Sequence, residues 1–176
     1  MTPITRPSAD PPHGALDGDD HRQIERLIHL YAYHLDAGDF ESMGALFTHA
    51  VVYVGIEEVA RRDPAAVAAM WSRFVRIYPN GTPRTHHIAT NLLIDPDGPN
   101  RARAYSYILV VQDAPGHPLA PITAGDYLDR FEKVDARWRF TERRVGNELF
   151  GDMSAHLLEP MEADPRRRPQ RWPDVR

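Results

Sequence analysis

Two side chains in this sequence are candidates for acid–base chemistry. Asp36 closes the apolar face of an N-terminal helical pattern, twelve residues after Ile24 and five after Tyr31. A carboxylate near a helix C-terminus is disfavoured by the helix dipole, so its position there asks for something local that compensates it. His87 opens an apolar run that continues Ile88-Ala89-Thr90-Asn91-Leu92-Leu93-Ile94. On a strand, His86 and His87 point to opposite faces, so one of them faces the concave side of the sheet; a one-residue bulge would exchange them. A histidine paired with a carboxylate is held in one tautomer and made a stronger base, as deprotonation near neutral pH requires. The plain alternative is a satisfied core histidine, and patterning alone favours it. Asp39 reads as a helix cap.

Composition removes other chemistries. The 176 residues contain no Cys, which excludes disulfides, thiolate metal sites and cysteine nucleophiles. Lys133 is the single lysine, so Schiff-base chemistry has little to work with. A net charge of -4 argues against a dedicated nucleic-acid binder. No Gly-rich phosphate loop, G-x-S-x-G elbow or H-E-x-x-H motif occurs. The nine histidines do not fall at metal-ligand spacings: His29 and His34 lie on different helical faces, so a metal site would need partners from scattered segments. No cofactor or metal is expected. No stretch approaches the roughly 18 apolar residues of a membrane span, and the first twenty residues lack the apolar core of a signal peptide. The expectation is a soluble, cytoplasmic protein.

The elements that would position Asp36 and His87 are legible from periodicity. Asp20 is a candidate cap for a helix over His21–Ala37, with Ile24, Leu27, Ile28, Tyr31 and Leu35 on one face. Gly38 stops it, and Asp39 starts a short helix over Phe40–Phe47. A brief strand (VVYVG) precedes a third helix, opened by Asp63-Pro64 and striped by Val67, Met70, Trp71, Phe74 and Tyr78. Four strands then meander antiparallel, with turns at Pro96-Asp97-Gly98, Ala114-Pro115-Gly116 and Asp135-Ala136. This order predicts an α+β fold: a cone-shaped barrel with helices packed on a strongly curved sheet around a pocket. Residues 1–19 read as a loose Pro-rich tail and 151–176 as an irregular Pro/Arg-rich tail carrying Arg166-Arg167-Arg168, on either side of a domain over 20–150.

The string IERLIHLYAYHLDAGDFESMGALFTHAVVYV resembles the opening of SnoaL-like proteins in the nuclear transport factor 2-like superfamily. THHIATNLLID and GDYLDRFEKVDARWRFTERRV resemble the same family's second half, so the likeness runs from about Asp20 to Phe150. It leans toward scytalone dehydratase and hexachlorocyclohexane dehydrochlorinase, which eliminate water or HCl without a cofactor, using a His base oriented by an Asp of the first helix. The resemblance puts Asp36, in LDAGD, at that aspartate and His87, in H-x-x-T-N-L, at that histidine, and so reverses the reading from patterning alone. It also puts Arg143 at the dehydrochlorinase's pocket arginine, with Arg144 as the competing inward residue.

The dehydratase's pocket tyrosines and second histidine do not all map here. Tyr31, Tyr53 and the pair Tyr105 and Tyr107, which share one strand face, are candidate pocket phenols, with a core aromatic as the alternative for each. Asn147 shares strand parity with Arg143 and is a candidate ligand contact, against a plain strand-end Asn. The resemblance implies a cofactor-independent lyase or isomerase of dehydratase or cyclase type, acting on a small, largely apolar molecule such as a polyketide or aromatic metabolite. The composition suits a high-GC bacterial genome and secondary metabolism. The alternative is a non-catalytic ligand-binding or assembly module, such as a dioxygenase small subunit. A homo-oligomer is expected to cover the exposed sheet face and edges, a trimer ahead of a dimer.

Overall fold

The computed structural model describes residues 16–159, without the side chains of 147 and 148. Helix α1 (Gly18–Ala37) is capped by Asp17, not Asp20: Asp17 accepts from the Asp19 and Asp20 amides, and the Asp20 side chain returns a bond from the Asp17 amide. Asp20 is thereby freed to accept from Trp138 Nε1 at 2.8 Å and Lys133 Nζ at 2.6 Å, tying the start of α1 to a distant hairpin. The other end stops at Gly38, whose φ of 73° is left-handed. A Cβ there would lie 2.5 Å from the Gly81 carbonyl oxygen, so only glycine lets the loop after α1 lie against residues 78–81. Asp36 sits two residues before this clamp.

The remaining elements are α2 (Phe40–Ala45), β1 (Val51–Val54), β2 (Glu57–Arg61), α3 (Pro64–Phe74), β3 (Thr85–Pro96), β4 (Arg101–Ala114), β5 (His117–Val134) and β6 (Arg137–Phe150). The four-strand meander forms as expected. Strand β2 was not foreseen: Gly55, at φ 60°, turns β1 back on itself. Helix α3 is shorter than its apolar stripe, because Val75 leaves it to bridge Leu157.

All six strands form one sheet in the order β2-β1-β6-β5-β4-β3, antiparallel except where β1 runs parallel to β6. Pairing aligns residues in rows that share a face. One row, Ile94, Ala104, Asp129, Arg143 and Val52, faces inward toward α1; its neighbour, Leu93, Tyr105, Leu128, Arg144 and Tyr53, faces out. The inward face and the Ile24, Ile28, Tyr31 and Leu35 stripe of α1 bury one another, with Phe47, Phe131 and Phe140 stacked between them. This is the expected α+β architecture of helices on a curved sheet.

Gly151–Leu158, at the start of the expected irregular tail, packs on the domain. The segment is irregular, but the Gly151 amide bonds Ile122, the Arg76 amide bonds the His156 carbonyl at 2.8 Å, and the Tyr78 hydroxyl bonds the Ala155 carbonyl at 2.6 Å. Ala155 and His156 are buried by it. Residues 1–15 and 160–176, including the Arg166–Arg168 run, lie outside the described residues.

Candidate active site

Asp36 reaches from the last turn of α1 to the first residues of β3. Its Oδ1 lies 2.6 Å from His87 Nδ1 and accepts from the Thr85 hydroxyl at 2.7 Å; its Oδ2 accepts the His87 backbone N–H at 2.8 Å. These three bonds are the local compensation that a carboxylate at a helix C-terminus needs. Burial works to raise the Asp36 carboxyl, but the His87 ring and its charge, the His87 amide and the Thr85 hydroxyl outweigh it and hold it below the ordinary carboxylate range. An ionised carboxylate only accepts, so in the neutral ring the proton is held on Nδ1 and Nε2 carries the lone pair. A ring fixed this way can take a proton from a bound molecule and nothing need rotate first.

Which histidine faces inward is settled by register. His87 stands opposite Val110, and its side chain is 10% exposed. His86 points outward with its side chain 84% exposed, and its Nδ1 is 3.8 Å from Asp36 Oδ2.

Arg143, not Arg144, is the inward arginine. It is fully buried (0%) and donates from Nε at 2.7 Å and Nη2 at 2.6 Å to the two oxygens of Asp129. Tyr31 and Tyr127 lie over its guanidinium at 4.2 and 4.4 Å from the ring centroids. Burial works against the charge on Arg143, but Asp129 outweighs it and the guanidinium stays protonated. A guanidinium already matched by a carboxylate has little charge left for a developing anion. A role at the reacting group would rest on Nη1 alone, which is buried and makes no hydrogen bond among the described residues.

The tyrosines divide. Tyr31 is inward but sealed, edge-on to Phe47 and Tyr127, and burial keeps its phenol protonated far above its ordinary value against the pull of Arg143. Tyr53, Tyr105 and Tyr107, expected as pocket phenols, lie on the other side of the sheet. Tyr53 stacks under Arg144 at 3.8 Å and donates to Glu58, because inward Val52 sends its neighbour out. On β4 the even residues, Ala104, Ser106, Ile108 and Val110, take the inside, which puts Tyr105 and Tyr107 outside, Tyr107 58% exposed. Asn147 pairs through its backbone with Gly125, and its side chain lies outside the described set.

The SnoaL-like domain family matches residues 18–144, well over half of the chain. The chain belongs to that family. No curated protein matches it. Among solved structures, this SnoaL-like chain is similar to a "Putative Scytalone Dehydratase" from Novosphingobium aromaticivorans, at 28% identity and a TM-score of 0.59, over 76% of this chain and 87% of that one. It is similar to a protein of unknown function from Mycobacterium tuberculosis at 26% identity and a TM-score of 0.61, over 76% and 79% of the two chains. In fold it also resembles the "beta subunit of a putative aromatic-ring-hydroxylating dioxygenase" from Novosphingobium aromaticivorans, at 16% identity and a TM-score of 0.57, over 74% and 90%.

Sequence reasoning singled out none of Thr85, Asp129 and His156. Thr85 is two residues from His87 and shares its strand face, so the alternation that selected His87 also pointed to it. Asp129 meets Arg143 only because β5 and β6 shift register between Arg130 and Phe131. His156 lies beyond the family match, in the packed segment Gly151–Leu158; the apolar cluster Met153, Ala155, Leu157 and Leu158 was the available signal. Among the described residues no three His, Asp or Glu side chains converge to hold a metal ion, and no helix is long and apolar enough to cross a membrane.

Proposed function

We propose that this SnoaL-like protein is a lyase or isomerase that needs no cofactor, of dehydratase or cyclase type, in which His87 is the base and Asp36 its orienting partner. The substrate is a small, largely apolar organic molecule with an acidic C–H next to an electron-withdrawing or leaving group. His87 Nε2 takes that proton, and the electron pair left on carbon expels the leaving group or shifts the double bond. Asp36 fixes the tautomer and stabilises the imidazolium as it forms. The observation that carries the reading is the 2.6 Å contact between Asp36 Oδ1 and His87 Nδ1 in a half-buried setting, backed by the Thr85 and His87 amide bonds. Family membership and the scytalone dehydratase-like neighbour support the reaction class.

The test needs a probe that reports a positioned base whatever the natural substrate. 5-Nitrobenzisoxazole serves: abstraction of its C3 proton breaks the N–O bond and releases a coloured nitrophenolate. The full chain is expected to turn it over faster than free imidazole, and His87→Ala and Asp36→Asn to lose about 10²–10⁴-fold while melting cooperatively. Equal rates in all three would sink the base. The alternative, a ligand-binding or assembly module, would then be the one to pursue.

A further inference from the structure

The outward face of the sheet carries apolar side chains that nothing among the described residues covers. Leu93, Tyr107 and Leu149 stay 49%, 58% and 68% exposed, and Ile88 is exposed beside them. Register sets them in neighbouring rows: Ile88, Leu109, Ala124 and Leu149; then Tyr107, Asp126 and Gly146; then Leu93, Tyr105, Leu128, Arg144 and Tyr53. A fourth row, Asp95, Arg103, Arg130 and Glu142, ends the face with charge. Monomers rarely leave a contiguous apolar area of this kind to water. A solvated face of an antiparallel sheet is served by polar residues, so Leu and Tyr in these rows call for an occupant.

The rows are complementary about β5. A two-fold axis along β5, in the plane between two copies, sets β4 of one copy over β6 of the other, and β3 over β1, row by row. Leu109 then faces Leu149, and Leu93 faces Tyr53, apolar on apolar. Tyr107 faces Gly146, a bare position: a Cβ there would lie 2.6 Å from Asp126 Oδ1, so the seat is flat and has a carboxylate beside it for the phenol O–H. Arg103 faces Glu142, plus to minus. Asp126 leans over Gly146 and so away from the axis, and Arg130, which meets its own counterpart there, is already matched by Asp97 at 2.9 Å. Stacked sheets cross at about 30°, which slides the end rows sideways; Arg103 and Glu142 stand there with side chains long enough to follow. One surface thus carries both halves of every pairing, as an isologous interface requires.

We propose that two copies of this chain pack sheet to sheet through the outward face, Tyr107 of each copy seated on Gly146 of the other and Arg103 paired with Glu142 at the rim. The Leu and Tyr rows form the dry centre, and the charged row is the polar edge that protein interfaces carry. His87 faces inward, toward Asp36, so the pairing leaves both untouched and holds whether or not His87 is a base.

The test uses the full chain, with sedimentation equilibrium and native mass spectrometry at micromolar concentration. Wild type is expected at twice the chain mass. Arg103→Glu sets a carboxylate against Glu142, and Glu142→Arg sets a guanidinium against Arg103. Each alone is expected to weaken the pair about tenfold or more, read as a shift toward the single-chain mass. Mixed in equal amounts, the two variants again put plus against minus at both contacts, and the hetero-pair is expected to exceed the statistical half of all pairs. Damage to the protomer's own Asp95–Arg103 or Glu142–Arg144 contact cannot be rescued by mixing. Should a charge reversal fail to fold, Tyr107→Glu, at an exposed position, reads the centre: it is expected to melt cooperatively and sediment as a single chain. Wild type at the single-chain or three-chain mass overturns the proposal. So do reversals that leave the pair as tight as wild type, a mixture with no excess of hetero-pair, or a folded Tyr107→Glu that stays paired.

Discussion

Asp36 grips His87 twice: one carboxylate oxygen meets the ring Nδ1 at 2.6 Å and the other accepts the same residue's backbone N–H at 2.8 Å. Ring and backbone of the base are thus set by one side chain from another element. The tautomer and the position of β3 against α1 are consequently a single structural fact.

Separating these two functions is the first prediction. Asp36→Asn keeps an oxygen for one N–H but cannot accept twice as a carboxylate, and its amide can turn a donor toward the ring. Turnover of a benzisoxazole probe is expected to fall roughly hundredfold or more with a modest loss of stability. Thr85→Val removes only the hydroxyl bond to Oδ1, and its cost should appear mainly in denaturant unfolding, about 1.5–3 kcal/mol. Asp36→Ala should show both losses. A rate unchanged in Asp36→Asn would mean the pair is structural.

Acid titration gives the second. The His156 ring has a folded pKa of about 4, below the ordinary histidine value, so the unfolded chain binds its proton first as pH falls. Its contribution to stability is whole above about pH 6.5 and is lost between there and about pH 4, in total about 3 kcal/mol. Asp36 is also lowered, but from the carboxylate value, so its stabilisation is present above about pH 4 and lost only below it. Urea unfolding across pH 4 to 7 should therefore slope for wild type and flatten for His156→Phe. A slope that survives the substitution would place its source elsewhere.

The third concerns the clamp behind Asp36. Gly38→Ala puts a Cβ 2.5 Å from the Gly81 carbonyl oxygen at a φ of 73°, so the loop after α1 must shift. The expected cost is about 1–3 kcal/mol in stability, and the last turn of α1 carries Asp36 with it. The rate on the probe should fall even where the protein remains folded. Gly55→Ala, at a similar φ but in open space, is the control: some strain and no loss of rate.

Much of this was legible in the chain because one-dimensional patterns carried it. The α1 stripe, the Gly38 stop and the hairpin turns put Asp36 at the end of a helix and His87 at the start of a strand, and the family resemblance paired them. What escaped needed information from across the sheet. Both faces of β4 are apolar enough that alternation alone did not say which side Tyr105 and Tyr107 take; inward Ala104, Ser106 and Ile108 decided it. Tyr53 was misplaced for the same reason. His156 escaped because its neighbourhood is dominated by proline and arginine further on, which hid a short apolar cluster.

The Asp129–Arg143 pair shows how one bulge can decide a core. Counting back from the turn at Asp135-Ala136, an unbroken ladder would set Asp129 opposite Glu142, two carboxylates facing each other. The register shift between Arg130 and Phe131 moves β6 by one residue and sets Asp129 opposite Arg143 instead. Having been brought together, the two charges lie among Tyr31, Phe47, Tyr127 and Phe140 with no water-exposed surface. Removing one partner leaves the other buried and unmatched, so Asp129→Leu or Arg143→Met alone should cost about 3–5 kcal/mol. The double variant replaces a desolvated ion pair by apolar groups of similar size and should cost far less than the sum. Equilibrium unfolding of the three variants closes the cycle. Costs that simply add would mean that the two residues act independently, and the reading of Arg143 as a core cation held by Asp129 would have to be given up.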